Sequence, residues 1–171
     1  MKTIVATVLT LLLAACVAQQ SLAQKQMQWR EYVYPQEGFA INFPYAPNPH
    51  YDNGDRHITV YTVQMGKTVV SLRSINRLMD CETALADQWD EAHSANVTEP
   101  VIKSSFRQIS PTGMKGLEYE TDLGGGERSL HRFQCADQHR FYIFTAGYSG
   151  KRPPQVDKII NSFHLVSPVH Q

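Results

Sequence analysis

Alternating apolar and polar positions in the first half of the chain predict β-strands separated by turns. Residues 39–43 alternate large apolar side chains with smaller or polar ones and stop at Pro44. The stretches 57–64 and 68–75 both alternate β-branched or aromatic residues, and a Met-Gly-Lys turn joins them, which predicts a β-hairpin. Residues 44–54 are rich in Pro, Asn, Asp and Gly, so we expect a surface loop there.

The second half of the chain carries a further set of strand patterns. Residues 101–109 and 116–123 are strand candidates, and the glycines at 124–126 turn the chain. The strands 127–135 and 139–148 follow around an Ala-Asp-Gln turn. Both faces of the last strand are apolar, which predicts a position in the middle of a covered sheet.

Two segments have helical periodicity. The segment 80–95 has apolar residues at three- and four-residue spacing, with Asp80 as a plausible N-cap. The apolar positions of its predicted buried face are Leu78, Cys81, Leu85, Trp89 and Ala92. The segment 153–163 begins with two prolines, which suit a first helical turn, and continues with Val156, Ile159, Ile160 and Phe163.

This order of elements predicts an α+β fold with a largely antiparallel β-sheet. Runs of strands interrupted by one central and one terminal helix are typical of that class. Each helix has an apolar face to bury, and the sheet is the only predicted surface large enough to receive it. We therefore expect the sheet to be flanked by helices.

The N-terminus has the pattern of an export signal, which we assign to residues 1–23. Its apolar run, 4–15, is about a dozen residues and falls short of the roughly 20 needed to span a bilayer. Two cleavage sites compete. A Leu-Ala-Ala-Cys lipobox would make Cys16 the lipidated N-terminus, whereas Ser-Leu-Ala would direct cleavage before Gln24. Both alternatives place the protein in the bacterial periplasm, either soluble or lipid-anchored to the envelope, behind a tether at 24–29.

The remaining chain has the size of one domain and a balanced charge. Removing 23 of the 171 residues leaves 148, which we divide into the tether, a domain at 30–166 and a tail at 167–171. The leader holds one of the 16 basic residues and none of the 16 acidic ones, so 15 basic and 16 acidic residues remain. This balance argues against nucleic acid as a partner and leaves a lipid on Cys16 as the one expected link to a membrane.

The cysteine count agrees with export. With Cys16 in or at the end of the leader, the domain keeps only Cys81 and Cys135. A lone pair in an oxidising compartment most often forms a disulfide, so we predict Cys81–Cys135. That bond would close a loop of about 54 residues and contribute on the order of 3–4 kcal/mol.

Four segments follow one another in a recognisable order: Gly38-Phe39-Ala40-Ile41-Asn42-Phe43-Pro44, Gly113-x-x-Gly116-x-Glu118, the aromatic strand 140–148 and Ile159-Ile160-Asn161-Ser162-Phe163. Together they resemble the PsbP-like family of small exported bacterial proteins, and the resemblance covers residues 30–166. It implies an antiparallel sheet sandwiched by helices (a PsbP-like α/β/α sandwich), in a family that binds partners and does not catalyse reactions. That fold is shared by an extrinsic protein of the photosynthetic oxygen-evolving complex.

Candidate chemistry is sparse. His131 and His139 are weak metal candidates, because they could approach each other across a hairpin, but histidines on a strand face explain them equally well. Glu118 and Glu120 resemble a carboxylate pair, yet we expect a solvated strand face there. The chain has neither a Gly-x-Ser-x-Gly motif nor a phosphate-binding loop, so we predict no enzyme activity and no cofactor.

Two functional hypotheses follow. The first is a non-enzymatic envelope protein that binds another envelope protein. The second is a periplasmic small-molecule or metal-binding protein that uses the loop at 44–57.

Aromatic residues near the N-terminus would either form an exposed binding patch or pack in the core, and we favour packing: Trp29, Tyr32, Tyr34, Tyr45 and Tyr51.

Overall fold

Ten β-strands and two α-helices make up the part of the chain that the structure, a computed structural model, describes. The described residues are 27–78, 80–94, 100–102, 105, 107–110 and 113–167. The strands are β1 (Arg30–Tyr34), β2 (Phe39–Phe43), β3 (His50–Asp52), β4 (Asp55–Met65), β5 (Thr68–Asn76), β6 (Arg107–Ile109), β7 (Lys115–Gly124), β8 (Glu127–Cys135), β9 (Arg140–Ser149) and β10 (His164–Leu165). The helices are α1 (Cys81–His93) and α2 (Pro154–Ser162).

The strands form two antiparallel sheets. The larger has seven strands in the order β3-β4-β5-β9-β8-β7-β6, and the smaller has three in the order β1-β2-β10. Strand β9 lies between β5 and β8, which confirms the central position that its two apolar faces predict. The α+β class with a largely antiparallel sheet is therefore confirmed, whereas the separation into two sheets was not predicted.

The main core lies between one face of the large sheet and a layer made of α2 and the small sheet. Phe163 is its aromatic centre, with ring centroids 5.5 Å from Phe39, 4.8 Å from Tyr142 and 5.2 Å from Phe144. Helix α2 contributes Val156, Ile159 and Ile160, all buried. Burying about a dozen large apolar side chains in this way is the dominant stabilising term.

Helix α1 covers only part of the opposite face of the large sheet. Its N-cap is Asp80, whose carboxylate accepts a hydrogen bond from the backbone N–H of Glu82 at 3.1 Å, as the sequence predicts. Leu85 is half-buried, and Ala92 is the one fully buried residue of the helix. Leu78 precedes the helix and is exposed, so its predicted place on the buried face is wrong.

Two other local predictions need correction. The loop predicted at 44–54 contains β3, because Asn53 and Gly54 adopt positive φ angles of 48° and 82° and fold the chain back onto β4. The strand predicted at 101–109 is not continuous over its described residues. Val101 makes a single bridge to β7, the Ser105 N–H donates a hydrogen bond to the carbonyl of Ile102, and residues 107–109 form β6, which pairs with β7.

Among the described residues, no helix is long and apolar enough to cross a membrane. The leader assigned to 1–23, its lipidation candidate Cys16 and the first residues of the tether lie outside the described residues, and these assignments stay predictions.

Candidate functional site

A groove of about 630 Å³ lies between α1 and the β6–β7 edge of the large sheet. Leu85, Ala86 and Trp89 form its helical wall. Gln108 and Ile109 of β6 and Leu117 of β7 line the side opposite the helix. Helix α1 packs against β7 and β8, the two strands next to the edge strand β6, and the groove lies on the β6 side of that contact.

Trp89 is the largest side chain of the groove and is 38% exposed. Its ring stacks on that of His93, one helical turn further on, with centroids 4.7 Å apart and an interplanar angle of 25°. His93 Nδ1 also lies 2.8 Å from the Trp89 carbonyl oxygen. The indole is thus held in one orientation by its own helix while part of its surface stays in water. Partly exposed, orientationally fixed tryptophans are frequent anchors of protein interfaces.

The floor of the groove depends on a close approach of two strands at Gly116. A Cβ at this position would lie 2.5 Å from the carbonyl oxygen of Phe133 and 2.9 Å from Cγ1 of Ile109. Glycine removes that conflict, so Ile109 lies directly over the backbone of β7.

The helical rim of the groove is acidic. Helix α1 contains Glu82, Asp87, Asp90 and Glu91, and His93 is its only basic residue. On the strand side Lys115 forms an ion pair with Glu82. Since both partners of that pair are exposed, its contribution to stability is small, roughly 0–1 kcal/mol. Asp90 also lines the groove, so an occupant with positive charge would be favoured there.

A disulfide holds the beginning of α1 against the sheet. Cys81 is the first residue of the helix and bonds to Cys135, the last residue of β8, with 5.7 Å between the two Cα atoms. This confirms the predicted pair. The disulfide fixes one end of the helical wall, and Ala92 packs the other end against the sheet.

A second polar feature, the Glu118 cluster, lies on the other face of the large sheet beside α2. It consists of Glu118 and the three arginines Arg107, Arg132 and Arg152. Glu118 is 2% exposed, and its Oε2 accepts a hydrogen bond from Arg132 Nε at 2.5 Å. Its Oε1 accepts bonds from Arg107 Nε at 3.0 Å and from Arg152 Nη1 at 3.2 Å. The prediction that Glu118 sits on a solvated strand face is therefore wrong.

The electrostatics of this cluster do not suit acid–base catalysis. Burial by itself would raise the pKa of Glu118, but the charges of Arg132 and Arg152 and the hydrogen bonds from the arginines outweigh it and hold the pKa below its ordinary value. The carboxylate is ionised at neutral pH and both of its oxygens are occupied. Arg152 also pairs with Asp157 of α2, and Arg132 lies 3.4 Å from Asn161 Oδ1. The cluster therefore joins α2 to the sheet.

Two smaller concave regions, each about 410 Å³, flank the Glu118 cluster. One contains Ser105, Arg107 and Asp157, and the other lies beside Gly126 and Lys151, near the β7–β8 turn. Both hold charged side chains of either sign, and Arg152, which lines both, pairs with Glu120 at 3.6 Å. None of the described residues that line these two regions is a large apolar one, whereas Leu85 and Trp89 line the groove.

The structure does not bring the two histidine candidates together. His131 pairs with Thr145 in the middle of the β8–β9 ladder, where its ring stacks on Tyr119 at 5.1 Å. His139 is exposed in the turn beyond Cys135, and the four residues from His131 to Cys135 alone span about 13 Å at about 3.3 Å per residue. Across the described ranges, no three His, Cys, Asp or Glu residues are grouped so as to hold a metal ion.

The structure also shows where the loop at 44–57 and the N-terminal aromatic residues lie. None of the three cavities described above is lined by residues 44–57. Trp29, Tyr32 and Tyr34 pack against the main core, as we favoured, and Lys158 Nζ lies 4.0 Å from the centroid of the Trp29 ring. Tyr45 and Tyr51 are exposed, so the packing that we favoured is wrong for these two.

Sequence reasoning did not find the groove, although part of its signal was present. The helical periodicity placed Leu85 and Trp89 on one buried face of α1; both line the groove, but Trp89 is exposed, so its predicted burial is wrong. Periodicity does not report how far the sheet extends beneath the apolar face of α1. That extent decides whether Trp89 is buried or lines a groove.

The fold now defined is PsbP-like, and comparison with solved structures supports that description. The solution structure of cyanobacterial PsbP (CyanoP) from Synechocystis sp. PCC 6803 is similar to this chain with a TM-score of 0.54 at 12% identity, over 81% of this chain and 93% of that one. A crystal structure from Bacteroides thetaiotaomicron VPI-5482 is similar with a TM-score of 0.53 at 9% identity, over 84% of this chain. The match spans about half, 51%, of the Bacteroides chain. At such identities the likeness shows the fold alone.

No protein-family model matches the sequence, and no curated protein matches it either.

Proposed function

We propose that this protein is an exported, non-catalytic binding module of the PsbP-like family that binds another envelope protein in the groove between α1 and the β6–β7 edge. The bound element is a short extended segment in which large apolar side chains are flanked by Lys or Arg. The observation that carries the proposal is the pairing, in one groove, of an apolar wall around Trp89 with an acidic helical rim.

The apolar wall supplies the affinity. Trp89, which is partly exposed, and Leu85, which is half-buried, offer apolar surface to an incoming side chain, and each CH₂ removed from water contributes about 0.8 kcal/mol. The volume of about 630 Å³ accommodates two or three large side chains of a peptide. The wall is also preorganised, because the disulfide, Ala92 and the His93 stack hold its parts before any partner arrives.

The rim supplies the selectivity. Of the four acidic residues of α1, Glu82 and Asp90 line the groove, and Glu82 is paired with Lys115. Asp90 is therefore the groove charge that attracts a basic segment and repels an acidic one, an effect that raises association rates and weakens with salt. For the alternative hypothesis, a small-molecule or metal site in the loop at 44–57, none of the three cavities described above is lined by that loop, and the described residues contain no group of three His, Cys, Asp or Glu that could hold a metal ion. We therefore carry only the protein-binding proposal forward.

The test uses three synthetic peptides and isothermal titration calorimetry. The basic probe is Ac-Gly-Lys-Arg-Leu-Phe-Leu-Lys-Arg-Gly-NH₂. The acidic control replaces Lys and Arg by Glu, and the polar control replaces Leu and Phe by Ser. We expect the basic probe to bind at least tenfold more tightly than either control, since it alone satisfies both the wall and the rim. Equal affinity for the basic probe and the acidic control would contradict the proposal.

Matched variants locate the binding site. Trp89→Ala should weaken the basic probe about 30-fold, the effect of losing a contact worth about 2 kcal/mol. Tyr51→Ala is its control, because Tyr51 is an exposed aromatic residue on β3, the opposite edge strand of the sheet. Asp90→Asn should weaken the probe a few-fold at low salt, and Glu127→Gln removes one exposed negative charge outside the groove. Equal losses in both members of a pair would place binding elsewhere.

A further inference from the structure

The helical wall of the groove depends heavily on one covalent bond. Helix α1 has a single fully buried residue, Ala92, and its contacts with the sheet are made by half-buried side chains such as Ala84 and Leu85. The Cys81–Cys135 disulfide is the one covalent link between this helix and the sheet. It lies at the N-terminal end of α1, where the polypeptide enters the helix from an exposed stretch around Leu78.

The large sheet and the main core do not depend on that bond. The core around Phe163 is built from α2, the small sheet and the opposite face of the large sheet, and no residue of α1 contributes to it. Cys135 ends β8, which is paired on both sides, with β7 and with β9. Loss of the disulfide therefore acts on the helix and leaves the sheet in place.

The bond is also open to a reductant from the helix side. Cys81 is half-buried at the helix terminus, whereas Cys135 is buried. Attack by an external thiolate on the Cys81 sulfur would release Cys135 as the leaving thiolate, and attack is controlled by such access.

We propose that the Cys81–Cys135 disulfide is a redox latch for the groove: its reduction releases α1 and removes the helical wall, so that the protein binds its partner segment only when oxidised. The reductant is a dithiol, either a small molecule or a Cys-x-x-Cys protein. One thiolate of the dithiol attacks Cys81 Sγ and forms a mixed disulfide, and its second thiolate resolves that intermediate. Two electrons and two protons pass to the cysteines, which become two thiols, while the dithiol becomes a disulfide.

The consequence for binding follows from which residues the latch holds. Leu85, Ala86 and Trp89 lie within the first three turns of α1, directly after Cys81. A short helix with one buried residue is marginal when it is not held by tertiary contacts. In the reduced protein this wall exchanges between docked and released forms, and the affinity for the segment falls in proportion to the docked fraction. This inference rests on the proposed function for its effect on binding, but not for its effect on α1.

Two measurements test the latch on the same purified protein, oxidised and after treatment with dithiothreitol. Hydrogen exchange followed by mass spectrometry reports α1 directly. We expect exchange in 81–93 to increase at least tenfold on reduction while β8 and β9 remain protected. Calorimetry with the basic probe should show at least a tenfold loss of affinity, restored when the thiols are reoxidised.

The outcomes separate the two claims. Unchanged exchange in α1 after reduction overturns the latch, whatever the peptide does. Faster exchange in α1 with no binding of the probe to the oxidised protein leaves the release of the helix standing and overturns the proposed function. Equal affinity of the oxidised and reduced forms, with faster exchange, overturns redox control of binding. A Cys81→Ser/Cys135→Ser variant lacks the disulfide and so tests the same point without a reductant. It should match the reduced protein in both assays. If it matches the oxidised protein, the latch is overturned.

Discussion

Replacing Glu118 by Gln should destabilise the protein far more than the same change at an exposed ion pair. Within the part of the chain that the structure describes, Glu118 is the one carboxylate bonded to Arg132, a residue that is itself 6% exposed. Gln keeps the size of the side chain but removes its charge, so Arg132 would stay buried without a counter-ion. Breaking a buried pair in this way costs about 3–5 kcal/mol. Arg107 is largely exposed and Arg152 keeps Asp157, so these two add little.

Urea denaturation at pH 7 measures this cost. With an m-value of about 2 kcal/mol per molar urea, a loss of 3–5 kcal/mol lowers the midpoint by roughly 1.5–2.5 M. The matched control is Glu82→Gln, which breaks the exposed pair with Lys115 and should cost less than about 1 kcal/mol. A double variant, Glu118→Leu/Arg132→Met, removes both charges and should recover much of the loss. A cost below about 1 kcal/mol for Glu118→Gln, equal to that of the control, would refute the assignment of the cluster as a buried clamp.

Three further predictions follow from the same structure. The folded-state pKa of Glu118 lies below its ordinary value of 4.5, so the stability that Glu118 contributes is complete above that pH and is lost as the pH falls through the folded-state pKa. The difference in unfolding free energy between wild type and Glu118→Gln should therefore shrink on acidification and persist from pH 6 to 8. Gly116→Ala should lower the free energy of unfolding in urea by about 1–3 kcal/mol, because the new Cβ meets the Phe133 carbonyl. Gly147→Ala has open space around its Cβ and should cost less than about 0.5 kcal/mol, so equal costs would contradict the close approach at Gly116. Phe163→Ala should cost about 3–5 kcal/mol, and a loss below about 1 kcal/mol would show that the aromatic centre is not the main core.

Local periodicity predicted most of the elements because it reports a property that each segment carries by itself. The hairpin of β4 and β5, the pair β8 and β9, and helix α2 lie within a few residues of their predicted bounds. Asp80 was identified as an N-cap from its type and position alone, and it caps α1. The fold class follows from the order of these elements, so it was predicted as well.

The features that were missed depend on partners distant in sequence. Strand β2 has the same alternation whether it pairs with the large sheet or forms a small one with β1 and β10, so periodicity does not assign its sheet. Glu118 looked like a solvated residue because its counter-ions are 11, 14 and 34 positions away. The groove was missed for the same reason: it lies between α1 and the edge strand β6, which the sequence pattern predicted as part of a longer strand, 101–109, without its position relative to the helix.

The central claim is that the groove between α1 and the β6–β7 edge binds a basic, apolar segment. Chemical-shift mapping of the ¹⁵N-labelled, oxidised protein during titration with the basic probe tests this claim most directly. The account predicts that the largest shifts fall on α1, including the indole N–H of Trp89, and on β6 and β7, with smaller shifts elsewhere. Saturable shifts confined to the loop at 44–57 or to the neighbourhood of Tyr51, with the Trp89 indole unmoved, would contradict it.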